Sequence, residues 1–168
     1  MAKSCVVGAT GRLGKVVVDT LRARGDDVVS NDYDLLNYLI FAHRYRGDPS
    51  FELEMAANVT AVVRRIDAST FPYNQDRAVV LVSSIDAVGP NVAQSLSYNV
   101  SKAALNQIAR YYAKAGHIRI NTVSPGTFTT DTPSVTKQQV ADVIAFLCSP
   151  AASGINGQDI RVDCGASR

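Results

Sequence analysis

Short apolar runs recur along the whole chain, and between them lie stretches patterned for helices. This alternation constrains the fold most, because strand, helix and strand in repetition generate a parallel sheet covered on both faces. The strand-like runs are residues 3–7 (KSCVV), 27–31 (DVVSN), 39–42 (LIFA), 78–83 (AVVLVS), 118–123 and 159–162. The helical stretches are Leu13–Arg24, Phe51–Ile66, Tyr98–Ala115 and Lys137–Leu147. Leu13, Val16, Val17, Thr20 and Leu21 share one face of the first, and Met55, Val59 and Val62 recur at helical spacing in the second. The expected class is α/β: a three-layer, Rossmann-like, doubly wound parallel sheet.

With 168 residues, 46% hydrophobic and 19% charged, the chain is expected to form one domain, 1–168, around one core. Its 17 basic and 15 acidic side chains are scattered, so no basic stripe points to a nucleic-acid or membrane partner. Cys5, Cys148 and Cys164 are odd in number and lack metal-ligand spacing, and His43 and His117 add no zinc pattern. The apolar stretch before Gly8 is too short for a signal peptide or a membrane span. A cytoplasmic protein with reduced thiols is expected.

Residues 6–15 read VVGATGRLGK, with Gly8, Gly11 and Gly14 directly behind the first strand. Such a turn lets the backbone approach a pyrophosphate, and the following helix offers unpaired N–H groups and a partial positive charge. A plain tight turn is the alternative. Asp32, 24 positions after Gly8, sits near the offset expected of a carboxylate on an adenosine ribose. Alone it is equally well a solvated turn residue; with the glycines it favours dinucleotide binding. A carboxylate there repels a 2'-phosphate and favours NAD over NADP, while Arg12 argues mildly for NADP.

A second cluster lies within residues 83–105, SSIDAVGPNVAQSLSYNVSKAAL. Tyr98 and Lys102 are one helical turn apart and share a face. A phenol is a poor acid or base at neutral pH unless a neighbouring cation stabilises its anion, and Lys102 is placed to be that cation. In isolation the spacing is also compatible with chance.

The chain resembles the short-chain dehydrogenase/reductase family. The resemblance is carried by GATGRLG after the first strand, NVTAVV from Asn58, VSS ending at Ser84, YNVSK from Tyr98 to Lys102, INTVSPG ending at Gly126, and GQDIRVDCG near the C-terminus. It implies that Tyr98 is the general acid/base, that Lys102 holds the nicotinamide ribose, that Ser84 orients a carbonyl, and that Asn58 supports a relay water. It also implies cofactor contacts from Gly8, Thr10, Gly11, Arg12, Leu13 and Gly14, and from Pro125, Gly126 and Thr127, with Thr129 and Thr130 as further candidates. The implied reaction is hydride transfer between NAD, less readily NADP, and a small carbonyl or secondary alcohol. The resemblance also implies a homodimer or homotetramer formed through the helices of Asn58 and Tyr98.

Three departures from the family pattern stand out. About six residues separate the second strand from LIFA, so the third strand and its flanking helices are expected to be missing. Six extended residues reach only about 20 Å, so this connection is expected to be nearly taut and free of helix. HRYRG, residues 43–47, replaces an Asn-Asn-Ala-Gly turn, removing an asparagine that braces the sheet and introducing Arg44 and Arg46. A short TFTTDTPSV stretch replaces a longer substrate lid. These losses lead us to expect weakened cofactor binding. They also keep open a non-catalytic dinucleotide sensor and, less so, a sugar-nucleotide epimerase.

Overall fold

A computed structural model describes residues 1–168 except 49, 74, 117, 129–133 and 168. Six strands form one sheet: β1 (Lys3–Val7), β2 (Asp27–Val29), β3 (Tyr38–Phe41), β4 (Ala78–Val82), β5 (Arg119–Pro125) and β6 (Asp159–Val162). Their order is β2-β1-β3-β4-β5-β6, and every pairing is parallel. The helices are α1 (Arg12–Arg24), α2 (Phe51–Met55), α3 (Ala61–Ala68), α4 (Leu96–Ala115) and α5 (Lys137–Leu147), and a π-helical turn, Ala56–Thr60, joins α2 to α3. Among the described residues no helix is long and apolar enough to cross a membrane.

The central strands are buried on both faces, as an all-parallel sheet requires. Along β3, Tyr38 and Ile40 face the layer of α1 and α5, with Val17, Leu21 and Ile144. Leu39 and Phe41 face the layer of α3 and α4, with Val62, Ile66 and Leu105. The continuous apolar runs in the sequence are therefore two interleaved faces with a period of two.

As expected, among the described residues no strand lies beyond β2, which forms the sheet edge. The connection from β2 to β3, Ser30–Asn37, contains no helix, but it is not taut. Asn31 and Leu35 both adopt left-handed backbone, with φ of 61° and 51°. The reason lies in the register. β2 ends at Val29, level with Cys5, and β3 begins at Tyr38, paired to Ser4. The chain therefore retreats by one residue along β1 while moving two strand spacings sideways, about 10 Å in all. The expectation of a taut link assumed a full-length return that the short β2 makes unnecessary.

The link is also anchored. Leu36 is fully buried among the α3–α4 layer residues. Thr70, just after α3, accepts from the N–H of Leu36 through its carbonyl (2.9 Å) and from that of Leu35 through its hydroxyl (2.8 Å). Asn37 Oδ1 accepts from the Lys3 N–H at 2.9 Å.

Candidate active site

At the carboxyl end of the sheet, a cleft of about 580 Å³ opens between the turn after β1, the loop after β3, the end of β4 and α4. Open parallel sheets place their ligand crevices at this end. Gly8, Thr10, Gly11, Arg12 and Leu13 line one wall.

The glycines of this wall have separable roles. Gly8 has a φ of 89°, and a Cβ there would come within 2.8 Å of the His43 backbone nitrogen. Gly14 does not line the cleft; a Cβ on it would lie 2.0 Å from the Gly8 carbonyl oxygen, so its bare Cα lets α1 start directly against the turn. Gly11 caps α1 without a side-chain hydrogen bond, leaving first-turn N–H groups available to an anion. An uncapped helix start beside a glycine cradle suits a dinucleotide pyrophosphate.

The opposite wall carries Ser84, Tyr98 and Lys102. Ser84 follows β4 and accepts from the Asp86 N–H at 3.2 Å, starting a short 3₁₀ turn. Ser83 donates to the Lys102 carbonyl at 2.9 Å, pinning α4 to the strand end. Ser95 caps α4 by accepting from the Tyr98 N–H at 3.0 Å. These two bonds set the height and rotation of the turn that bears Tyr98 and Lys102.

Lys102 is 3% exposed and donates to the Val82 carbonyl at 2.8 Å. Burial, aided by the nearby Arg44 charge and opposed by Glu54, pushes its pKa down to about 8. Its Nζ lies 5.7 Å from the Tyr98 ring centroid, and the Arg44 guanidinium covers that ring at 4.4 Å. Two cations thus lie within about 6 Å of the phenol ring centroid.

Asn58 is buried but does not line the cleft. Its Oδ1 accepts from the Tyr45 N–H at 2.8 Å, and its Nδ2 donates to Ser101 Oγ at 3.1 Å. It ties the loop after β3 to α4. The neighbouring Ala57 carbonyl, within the π-helical turn, accepts from His43 Nε2 at 2.9 Å. The loop after β3 is therefore braced by His43.

Burial chiefly holds the His43 pKa below its ordinary value, the Lys102 charge adding to this and the Ala57 bond opposing it. The ring is then neutral with its proton on Nε2. Nδ1 is left as a buried acceptor without a partner among the described residues. The sequence reading found no role for His43, although its place directly after a strand at the ligand end was a usable signal. Glu54 was also missed. It is a buried carboxylate that accepts from the hydroxyls of Ser95 (2.9 Å) and Ser97.

Pro125, which ends β5, and Gly126 and Thr127 just beyond it line the cleft. A Cβ on Gly126 would lie 3.0 Å from the Asp163 Cα, so this glycine admits the chain after β6. Thr129 and Thr130 lie outside the described residues.

Asp32 stands apart from this assembly. β2 stops at Val29 rather than reaching residue 31, and Asp32 lies in the crossover, outside the cleft lining. Its carboxylate pairs with Lys3 Nζ at 2.7 Å, at the amino end of β1, and this contact with the Asp34 N–H holds its pKa below the ordinary value. Among the described residues no cluster of His, Cys, Asp and Glu has the makings of a metal site.

Similarity to known proteins agrees with this geometry. A 3-alpha-hydroxysteroid dehydrogenase from Pseudomonas sp. B-0831, solved with NADH, superposes with a TM-score of 0.84 at 23% identity, covering 98% of this chain and 96% of that one. The structure of BdcA with NADPH superposes with a TM-score of 0.81 at 18% identity, covering 96% and 93%. At such identities these matches speak for the fold.

Among sequence relatives, the human mitochondrial protein named dehydrogenase/reductase SDR family member 2 is 38% identical over 117 residues, covering 54% of this chain and 41% of the relative. A 7alpha-hydroxysteroid dehydrogenase of Escherichia coli is 30% identical over 115 residues, covering 55% and 45%. The chain thus spans less than half the length of these relatives. The family model described as enoyl-(acyl carrier protein) reductase matches residues 47–138 and 132–167, a span that holds Ser84, Tyr98, Lys102 and both strands beyond them. With that match over most of its length and this sheet beneath it, the chain belongs to the short-chain dehydrogenase/reductase family.

Proposed function

We propose that the protein is a nicotinamide-dependent oxidoreductase that interconverts a carbonyl and a secondary alcohol. The observation that carries this reading is the meeting of Ser84, Tyr98 and Lys102 with the glycine turn in one cleft. When bound, a nicotinamide supplies or accepts the hydride. The chain's own groups handle the proton and the alignment. The Tyr98 hydroxyl gives its proton to the carbonyl oxygen in reduction and takes it back in oxidation. The Ser84 hydroxyl donates to the same oxygen and fixes its direction. Lys102 and Arg44 provide the positive surroundings in which a phenolate is tolerated.

The uncapped start of α1 and Arg12 are assigned to the pyrophosphate, and Pro125, Gly126 and Thr127 to the nicotinamide end. Asn58 acts through the loop and helix it joins. NAD(H) is preferred to NADP(H) because the Asp32 carboxylate disfavours a 2'-phosphate, by a margin narrowed by its pairing with Lys3 and by Arg12 in the cleft. We further propose a cytoplasmic homodimer or homotetramer that pairs through the exposed side of α4, where Ala103, Gln107 and Tyr111 lie.

Titration with NADH and NADPH, followed by cofactor fluorescence, tests the reading directly. We expect saturable binding of both, with less than about a tenfold preference for NADH. Tyr98→Phe is expected to retain that binding and to lose about 10²- to 10⁴-fold in turnover of any carbonyl substrate. Absence of binding at millimolar cofactor would overturn the proposal, and undiminished turnover by Tyr98→Phe would remove the tyrosine from it.

A further inference from the structure

The cleft is unbalanced in charge. Among the described residues, Arg12, Arg44, Arg46 and Lys102 line it, against Asp86 alone of the acidic ones. Two of these cations already have work: Arg12 begins the helix beside the glycine turn, and Lys102 is bonded to the Val82 carbonyl. Arg44 differs from both. It leaves the loop after β3, crosses to α4 and sets its guanidinium carbon over the Tyr98 ring, 4.4 Å from the centroid. No carboxylate pairs with it among the described residues.

Glu54 lines an adjoining recess with Arg44 and Arg46, but it forms no salt bridge with either among the described residues, and its Oε2 accepts from the hydroxyls of Ser95 and Ser97. The polar contact Arg44 does make is a long one, 3.4 Å, to the neutral Gln94 side-chain oxygen. The result is a permanently charged planar fork over the proton-transferring ring, with no counter-ion among the described residues. A guanidinium in that state binds two anionic oxygens side by side.

We propose that the substrate carries a carboxylate or phosphate group close to its reacting carbonyl, and that Arg44 receives it. The inference rests on the oxidoreductase reading for the carbonyl and on the Arg44 geometry for the anion. The bracing of the loop supports it. His43 and Tyr45, the residues on either side of Arg44, are both tied to the π-helical turn, through Ala57 and Asn58. The backbone that carries the guanidinium is therefore fixed before a ligand arrives, which limits the ordering cost of binding.

The cofactor also carries anionic groups, so the test separates the two sources. Calorimetric titration of the cofactor-free protein with oxalate, and separately with inorganic phosphate, reads anion binding without turnover. We expect at least one of the two to bind the wild type and Tyr98→Phe, and to lose about 10- to 100-fold in affinity in Arg44→Gln. Arg44→Lys, which keeps the charge and loses the fork, should fall between.

NADH affinity, measured on the same proteins, should be unchanged by Arg44→Gln. In assays of reduction, a short 2-oxo acid should exceed its methyl ester in kcat/KM by at least tenfold, with that preference abolished in Arg44→Gln. Neither anion binding the wild type, or both binding Arg44→Gln as well, would overturn the inference even if the enzyme reduces neutral ketones. A parallel loss of NADH affinity in Arg44→Gln would assign the guanidinium to the cofactor and overturn it equally. Failure to bind NADH, with Arg44-dependent oxalate or phosphate binding intact, would sink the oxidoreductase reading and leave the anion site standing.

Discussion

The two halves of the sheet have been treated differently. On one side of β3 lie β4, β5 and α4, where successive side-chain bonds set the position of each cleft residue and where the family model matches. On the other lie β1 and the three-residue β2, followed by an eight-residue link in place of a helix, strand and helix; here that model does not match. The difference teaches that the periphery of a parallel sheet can be cut back if the chain still crosses β1 and refills the space. Leu36 and Tyr33 refill it here, packed against the α3–α4 layer. No such substitution is available around Lys102, whose buried charge depends on the Val82 carbonyl.

The sharpest way to break the comparison is to empty the refilled space. Leu36→Ala, at a fully buried site in the link, is expected to cost about 2–5 kcal/mol in denaturant unfolding. A cost below about 1 kcal/mol would show that the trimmed side contributes little to stability.

On the intact side, Lys102 is expected to show itself through pH. Its native pKa of about 8 lies below the ordinary 10.5, so between those values the unfolded chain binds more protons than the native one. Stability relative to a Lys102→Met protein should therefore rise from pH 8 to 10.5, by on the order of 3 kcal/mol at most. Taking the difference between the two proteins cancels the opposite trend from Tyr38, Tyr112 and Cys148, whose pKa values are raised. A flat difference would mean that Lys102 does not carry a buried charge.

The smallest effect sharpens the picture of the link. Leu35 is 65% exposed with a left-handed φ of 51°, so Leu35→Asn should stabilise the protein by about 0.5–1 kcal/mol. A loss of stability would mean that the Leu35 side chain contributes more than its backbone strain costs.

The layered fold was legible because apolar runs and helix periodicity survive at every retained element. Tyr98, Lys102 and Ser84 were legible because their partners lie within a short stretch of chain or at a strand end. The position of Asp32 was not, since it depends on where β2 stops and on Lys3, whose pairing with a residue 29 positions away no local pattern announces. The side-chain hydrogen bonds of Asn58 to Tyr45 and Ser101, 13 and 43 positions away, were not legible either. Likewise the stacking of Arg44 on Tyr98 joins residues 54 positions apart through an otherwise unremarkable loop.

Removing a strand from a parallel sheet turns an interior rail into a border. The outer N–H and C=O groups of β2 now face outward, the kind of surface on which stray strands from other molecules can nucleate. Two features blunt it: the strand is three residues long, and it opens with the exposed Asp27. The brevity that slackens the crossover also leaves little border for another chain to join, so shortening this side of the molecule carries its own protection against fibrous self-association.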